Sequence, residues 1–238
     1  INPDKNKARK GRALTVDEIN KLLEALPFKW HPLIQIMSLT ALRIGEALAM
    51  QWKYYHKESD GTGYYKVERQ INHNKDLVVP KTDGSRAEVT LGAKAIAILD
   101  NHRAAQVKLR LKYPGWLDHD DQLIFPTEPT FTDSPGTILS RYQPQKLGKI
   151  QDQSHVRRCI QLASGHAGLG KIRPHDFRHT HASMLIANGA NIKKVSHRLR
   201  HKDIATTLNI YGHLYPDDQQ AVADLADSVF KFEQKGTK

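Results

Sequence analysis

The chain has 238 residues, room for one sizeable core or two small ones, and its 39% hydrophobic and 26% charged residues exclude a disordered chain. A single cysteine, Cys159, excludes an internal disulfide and suits a reducing compartment, and no apolar run is long enough to cross a bilayer. Lys and Arg outnumber Asp and Glu by 36 to 25, a formal charge of +11, which fits a polyanionic partner, nucleic acid first, and equally a basic surface without such a partner.

Residues 1–14 carry five Lys or Arg and no apolar periodicity, and read as a basic linker. The first residue is Ile1 rather than Met, so further domains are expected upstream, and no signal peptide opens the chain. Thr15 opens a helix: TVDE is a capping box closed by Glu18, and Ile19, Leu22, Leu23 and Leu26 follow at helical spacing. A second helix starts near Pro32 and carries Leu33, Ile34, Ile36, Met37 and Leu39. It leads into ALRIGEALAMQW, where another helix is expected. From about 54 to 91, segments rich in Tyr, Val and Ile are split by SDGTG, NHNKD and KTDGS, the pattern of a small antiparallel meander.

Residues 92–112 return to helix, 114–144 are mostly loop, and the remainder is helical with breaks at 165–174, 188–191 and 215–218. Cys159 lies in the apolar helical pattern VRRCIQLA and is expected in the core. After Pro216, Ala221, Val222, Leu225, Ala226, Val229 and Phe230 mark a last amphipathic helix. The fold expected is mainly α with a small three-stranded antiparallel β-sheet. Its parts are a linker over 1–14, one domain over 15–215, and a C-terminal helix and tail over 216–238.

Three clusters carry chemistry. Arg43 stands where a helix begins, with Glu46 on the same face. His175 and Arg178 lie one helical turn apart in PHDFRHTHAS. Leu199-Arg200-His201-Lys202 is followed ten residues on from His201 by Tyr211, within TTLNIYGHL. Taken singly, each is better explained as an ion pair, a polar surface or packing. Together they suggest an anion site: arginine forks bind a phosphate bidentately, histidines donate hydrogen bonds or move protons, and a tyrosine attacks. No carboxylate cluster for magnesium is visible. His175 and His179 share a face at a spacing seen in zinc sites, but HExxH is absent and Arg178 sits between them, so no metal and no cofactor are expected.

The same clusters resemble the tyrosine recombinases of the phage and conjugative-element integrase type. ALRIGEAL is similar to their first arginine motif, PHDFRHTHAS to their H-x-x-R motif, and VSHRLRHKDIATTLNIYGHL to the stretch holding their third basic position and nucleophile. PKTDGSRAEVTL resembles the hairpin that carries their lysine. The resemblance implies a catalytic domain that recombines DNA site-specifically through a 3′-phosphotyrosine intermediate, encoded by a bacterium or phage and cytoplasmic. Arg43 and Arg178 would clamp the scissile phosphate, His201 would donate a third hydrogen bond, and Tyr211 would attack. Lys81 would protonate the leaving oxygen, His175 would assist or hold the tyrosine, and Glu46 would orient Arg43.

One departure is visible: the family's Leu-Gly-His reads Leu199-Arg200-His201 here. Glycine permits a positive φ that arginine resists, so either the geometry at His201 differs or Arg200 adds a phosphate contact. In one straight helix His201 and Tyr211 would stand roughly 15 Å apart along the axis. A break is therefore expected at Lys202-Asp203, with Asp203 as N-cap.

The helix over 191–200 presents Ile192, Val195 and Leu199 on one face, and Lys193, Lys194, Arg198 and Arg200 are expected to touch the DNA backbone. In the resembled family the last helix often docks on a neighbouring protomer. That implies a homo-tetramer on double-stranded attachment sites, a monomer when free, and no membrane partner. Two alternatives stand beside the recombinase: a backbone-binding module of the same fold without chemistry, and a type IB topoisomerase.

Overall fold

The computed structural model describes residues 11–80, 87–113, 116, 122–128, 147–215 and 219–230. Helix α1, Val16–Ala25, begins at the expected capping box. The Thr15 hydroxyl accepts from the Glu18 amide at 3.1 Å, and Glu18 Oε2 accepts from the Thr15 amide at 2.9 Å. Helix α2, His31–Thr40, has Pro32 in its first turn, where the missing N–H costs nothing. It is apolar on most sides because it is central: Leu33, Ile34, Ile36 and Met37 are fully buried. It packs on α4, Ala93–Lys112, and on α6, Pro174–Ala187. The short α3, Ile44–Leu48, follows directly.

The three-stranded antiparallel sheet has the order β1-β2-β5, from Tyr55–Lys57, Gly63–Lys66 and Glu88–Leu91. Tyr65 on the central strand faces Tyr55 on one side and Val89 on the other. Tyr65, Val89 and Leu91 point into the core and alternate with exposed Glu88 and Thr90. The meander expected from the sequence is interrupted. Between β2 and β5 the chain leaves the sheet to form a separate hairpin of β3, Gln70–Ile71, and β4, Leu77–Val78. Its turn is closed by Asn72 Oδ1 accepting from the Asp76 amide at 2.9 Å, with Lys75 left-handed at φ 70°. The hairpin is diverted because it docks on α3 and on α5, Gln153–His166: Gln153 Nε2 donates to the Ile71 carbonyl at 2.9 Å. Gly45 permits this, since a Cβ there would stand 2.8 Å from the Ile71 oxygen.

The last part of the chain is helical: α6, α7 over Ile192–Leu199, α8 over Ile204–Tyr211 and α9 over Gln219–Val229. Cys159 packs half-buried against the main core, as expected. A second small core joins Ala41, Ala182, Ile186, Val195, Leu199 and Tyr211, and it locks α6, α7 and α8 against the end of α2. The packed unit begins earlier than the expected linker end at residue 14. Leu14 is 2% exposed, and its amide donates to Thr180 Oγ1 at 2.9 Å, so this segment belongs to the core rather than to a solvated linker. Among the described residues, no helix is long and apolar enough to cross a membrane.

Candidate active site

Helix α2 ends on Ala41, which is fully buried and left-handed at φ 56°. The turn throws the chain into the extended Arg43, the residue before α3. Glu46 holds Arg43 twice, accepting from its amide at 2.9 Å through Oε2 and from Nη1 at 2.8 Å through Oε1. The Arg43 side chain stays 40% exposed while that of Glu46 is only 1% exposed. The expectation that Glu46 orients Arg43 matches this geometry, and the fork keeps an outer edge toward solvent.

Helix α6 carries His175 and Arg178 on its first turns, with Pro174 fixing its start. Arg178 is buried, donating to the Ala41 carbonyl at 2.8 Å and to the Leu199 carbonyl. It therefore bridges two left-handed turns, since Arg200, next after Leu199, also has φ 56°. These bonds engage two of the five guanidinium N–H donors. Burial, then the neighbouring Arg43 and Arg200, push Arg178 down to about 9, which leaves it charged at neutral pH. His175 is exposed at its outer edge. Packing around the rest of the ring, then His179, Arg178 and Arg43, push it down to about 4, so it is neutral.

The break between α7 and α8 falls where expected. Helix α7 ends at Leu199, and Asp203 caps α8, its Oδ1 accepting from the Ala205 amide at 2.8 Å. His201 lies in the link, its Nδ1 2.8 Å from Thr207 Oγ1. Partial burial, then Arg178, Arg43, His175 and His179, push it down to about 4, which also shows how closely these groups gather. Tyr211 is the last residue of α8 and is 4% exposed. Burial drives its phenol up to about 12, with Arg178 acting against the rise.

The partner of Tyr211 differs from the expected one. Its Oη lies 2.8 Å from Nδ1 of His179, not against His175, which instead meets His179 edge to face with ring centroids 4.8 Å apart. The two histidines share a face of α6, and α8 packs over the second. Their common spacing was the available signal, but no sequence pattern says which ring meets the tyrosine.

Two of the four expected DNA-backbone residues serve inside the protein. Arg200 has a side chain only 3% exposed and pairs with Glu46, so it is no outward phosphate contact. Arg198 donates to the Thr90 carbonyl at 2.6 Å and the Leu39 carbonyl at 2.9 Å, pinning α7 to β5 and α2. Arg198 reaches across to the carbonyls of β5 and α2, and Arg200, in the left-handed turn after α7, is directed to Glu46. Lys193 and Lys194 are exposed. Lys81 lies outside the described residues.

A groove of about 570 Å³ opens beside the cluster, lined by Arg43, Arg157, Lys171, Arg173, His175 and Arg178 among others and by no described carboxylate. Such a surface suits a phosphodiester. His181, third of the closely spaced histidines, has its Nδ1 2.8 Å from the Ser38 carbonyl oxygen. Among the described residues no three of His, Cys, Asp or Glu are grouped to hold a metal.

Comparison with known proteins places these residues in a family context. A family model described as "Phage integrase family" matches residues 12–217. The chain is 28% identical over 216 residues to the ICEBs1 integrase of Bacillus subtilis (strain 168), covering 90% of this chain and 53% of that protein. It is 27% identical over 228 residues to a "Tyrosine recombinase XerC-like" protein of Caldanaerobacter subterraneus subsp. tengcongensis, with the same two shares, 90% and 53%. The chain thus spans about half the length of these relatives. Among solved structures it resembles the Tn1549 transposon integrase in complex with a circular intermediate DNA, at a TM-score of 0.68 and 17% identity, covering 93% of this chain and 68% of that one. It also resembles the XerH site-specific recombinase bound to palindromic difH substrate, at a TM-score of 0.58 and 21% identity, covering 92% and 53%.

Proposed function

The chain belongs to the phage integrase family, and from that membership we propose that it is the strand-transfer domain of a site-specific DNA recombinase. One observation carries the reading: a buried tyrosine, Tyr211, stands near Arg178, which lines a basic groove together with Arg43 and His175. Arg43 and Arg178 bind the non-bridging oxygens of the scissile phosphate, and His201 adds a third donor. All are positioned before the reaction starts, which is what stabilises charge building on a pentavalent phosphorus. Tyr211 Oη attacks, a 3′-phosphotyrosine forms and a 5′-hydroxyl leaves. Lys81 protonates that leaving oxygen. His175 acts on the tyrosine through the His179 ring rather than by touching it. The phosphotyrosine conserves the energy of the phosphodiester, so rejoining needs neither ATP nor a metal.

The partner in this reading is a double-stranded attachment site, in line with the DNA held by the two neighbouring structures. Four protomers assemble on it, with residues 216–238 of each docking on the next, and the free chain is a monomer. DNA of a bacterial cell or its phage places the protein in the cytoplasm. Lys193 and Lys194 contact the DNA backbone.

The test is a suicide duplex, nicked so that the cut strand loses its short 5′-hydroxyl end, tiled across the boundaries of the element that carries the gene. Wild type is expected to form a covalent protein–DNA adduct that Tyr211→Phe does not. A wild type without adduct on every duplex, or an adduct that survives in Tyr211→Phe, overturns the reading.

A further inference from the structure

We propose that His179 is the base of the strand-transfer step: its Nδ1 takes the phenolic proton of Tyr211 as Oη closes on phosphorus. The inference rests on the recombinase reading and adds a catalytic residue to it. Three observations support it. The Oη–Nδ1 distance is 2.8 Å, within the reach of direct proton transfer. The other two histidines of the cluster are engaged elsewhere, His201 on Thr207 and His175 against the His179 ring. And the His179 ring is held in place from several sides.

That clamp includes a segment the clusters of chemistry do not contain. The backbone of Gly11 lies on the His179 ring, so close that a Cβ at this position would overlap ring atoms Cδ2, Nε2 and Cγ. The N-terminal segment is tied to α6 just beyond that contact. Leu14 donates to Thr180 at 2.9 Å and the Arg12 amide to Asp176 Oδ1 at 3.4 Å. The edge of His175 and the tilted Tyr211 ring, 5.7 Å between centroids, flank the half-buried ring on two further sides. A ring so placed presents Nδ1 to Oη.

The charge around the ring suits the task. The groups facing it are Arg173 just before α6, His175, Asp176 and Arg178 of α6, His201 of the α7–α8 link, and Tyr211 of α8. Burial lowers the His179 pKa, Asp176 acts against that, and Arg173 and Arg178 lower it further, so the ring is neutral at pH 7 and can accept a proton. In the step itself the Oη–P bond forms and the P–O5′ bond breaks with its electron pair going to O5′. The phenolic proton passes to Nδ1, and O5′ takes its proton from Lys81. In rejoining, the 5′-hydroxyl returns its proton to Lys81 as O5′ attacks phosphorus, the P–Oη bond breaks with its electron pair going to Oη, and the imidazolium returns its proton to Oη.

The experiment measures single-turnover adduct formation on the suicide duplex that wild type cleaves, across pH, with DNA affinity measured separately. His179→Ala removes the base. His179→Asn leaves an amide oxygen near the Nδ1 position that accepts a hydrogen bond but takes no proton. Both variants are expected to form adduct about 100-fold more slowly or worse at unchanged DNA affinity. Because burial holds the ring below the ordinary imidazole range, wild type is expected to lose rate on acidification only beneath that range, through a limb that both variants lack. His179→Asn at the wild-type rate would reduce the residue to a positioning role and overturn the proposal, as would His179→Ala at that rate. If the alanine variant does not fold, the asparagine variant and the wild-type pH profile decide. Adduct in wild type and none in Tyr211→Phe keeps the recombinase reading whatever His179 does, whereas no adduct in wild type overturns both.

Discussion

Arg200 shows how one residue can be visible in a sequence while its role is not. It stands where the resembled family has glycine, and the backbone there is left-handed at φ 56°, the conformation glycine adopts without penalty. Its guanidinium compensates by burying itself against Glu46, 154 residues away in the chain, so that one buried carboxylate serves both Arg43 and Arg200. No local pattern could reveal a pairing over that distance. The energetics can be separated by two variants that both delete the guanidinium. Arg200→Gly is expected to be more stable than Arg200→Ala by about 1 kcal/mol, because only alanine keeps the left-handed penalty. Denaturant midpoints measure the difference, and equal midpoints would show that the turn is not strained. By contrast the three motifs that hold Arg43, His175 with Arg178, and His201 with Tyr211 could be singled out in the sequence by residue type, order and spacing, while the roles of these residues came from the family resemblance and belong to the proposal. That His179 rather than His175 meets Tyr211 was not legible, since α6 presents both on one face and only the packing of α8 chooses.

Among elements, the break between α7 and α8 was the most readable, because geometry demanded it and Asp203 supplied the cap. Asp203→Ala is expected to cost about 1 kcal/mol of stability and to slow adduct formation as well, because α8 carries Tyr211 to His179. Thr15→Ala removes an equivalent cap on a helix that does not carry the tyrosine and is expected to lose similar stability with a smaller loss of adduct rate. Thermal melts beside single-turnover rates distinguish the two, and an unaffected Asp203→Ala rate would contradict the role given to the break. The β3–β4 hairpin was less readable. Its alternating residues and turn signals are those of any meander strand, and what removes it from the sheet is the docking of Ile71 on α3 and α5, a tertiary contact made possible by Gly45. The N-terminal segment was misjudged for a related reason: Gly11, Arg12 and Leu14 read as a basic linker until Leu14 is seen in the core and Gly11 on His179.

At the scale of the whole molecule, two surfaces among the described residues suit partners. The first is basic. Removing one lysine from a DNA phosphate should lower the slope of log affinity against log salt by about 0.9, so replacing both Lys193 and Lys194 by alanine is expected to flatten it by about 2. An unchanged slope would show that neither lysine touches DNA. The second surface is apolar. Along α9 and just past its end, Val222, Leu225, Val229 and Phe230 are 62%, 63%, 65% and 62% exposed, an apolar stripe that suits a partner surface. Replacing Val222 and Leu225 with aspartate is expected to abolish higher-order complexes on DNA, seen by sedimentation, while leaving cleavage of a suicide duplex by a single protomer intact. A tetramer that survives would place the protomer contact elsewhere.

In the proposed reaction Tyr211 Oη is the atom through which the protein becomes joined to DNA. The direct measurement is to isolate the wild-type adduct, digest protein and DNA, and locate the nucleotide remnant by mass spectrometry. The remnant is predicted on the peptide containing Tyr211, joined through a 3′-phosphate, with the opposite DNA end carrying a free 5′-hydroxyl. A remnant on any other residue, or a 5′-phosphate linkage on Tyr211, would contradict the account.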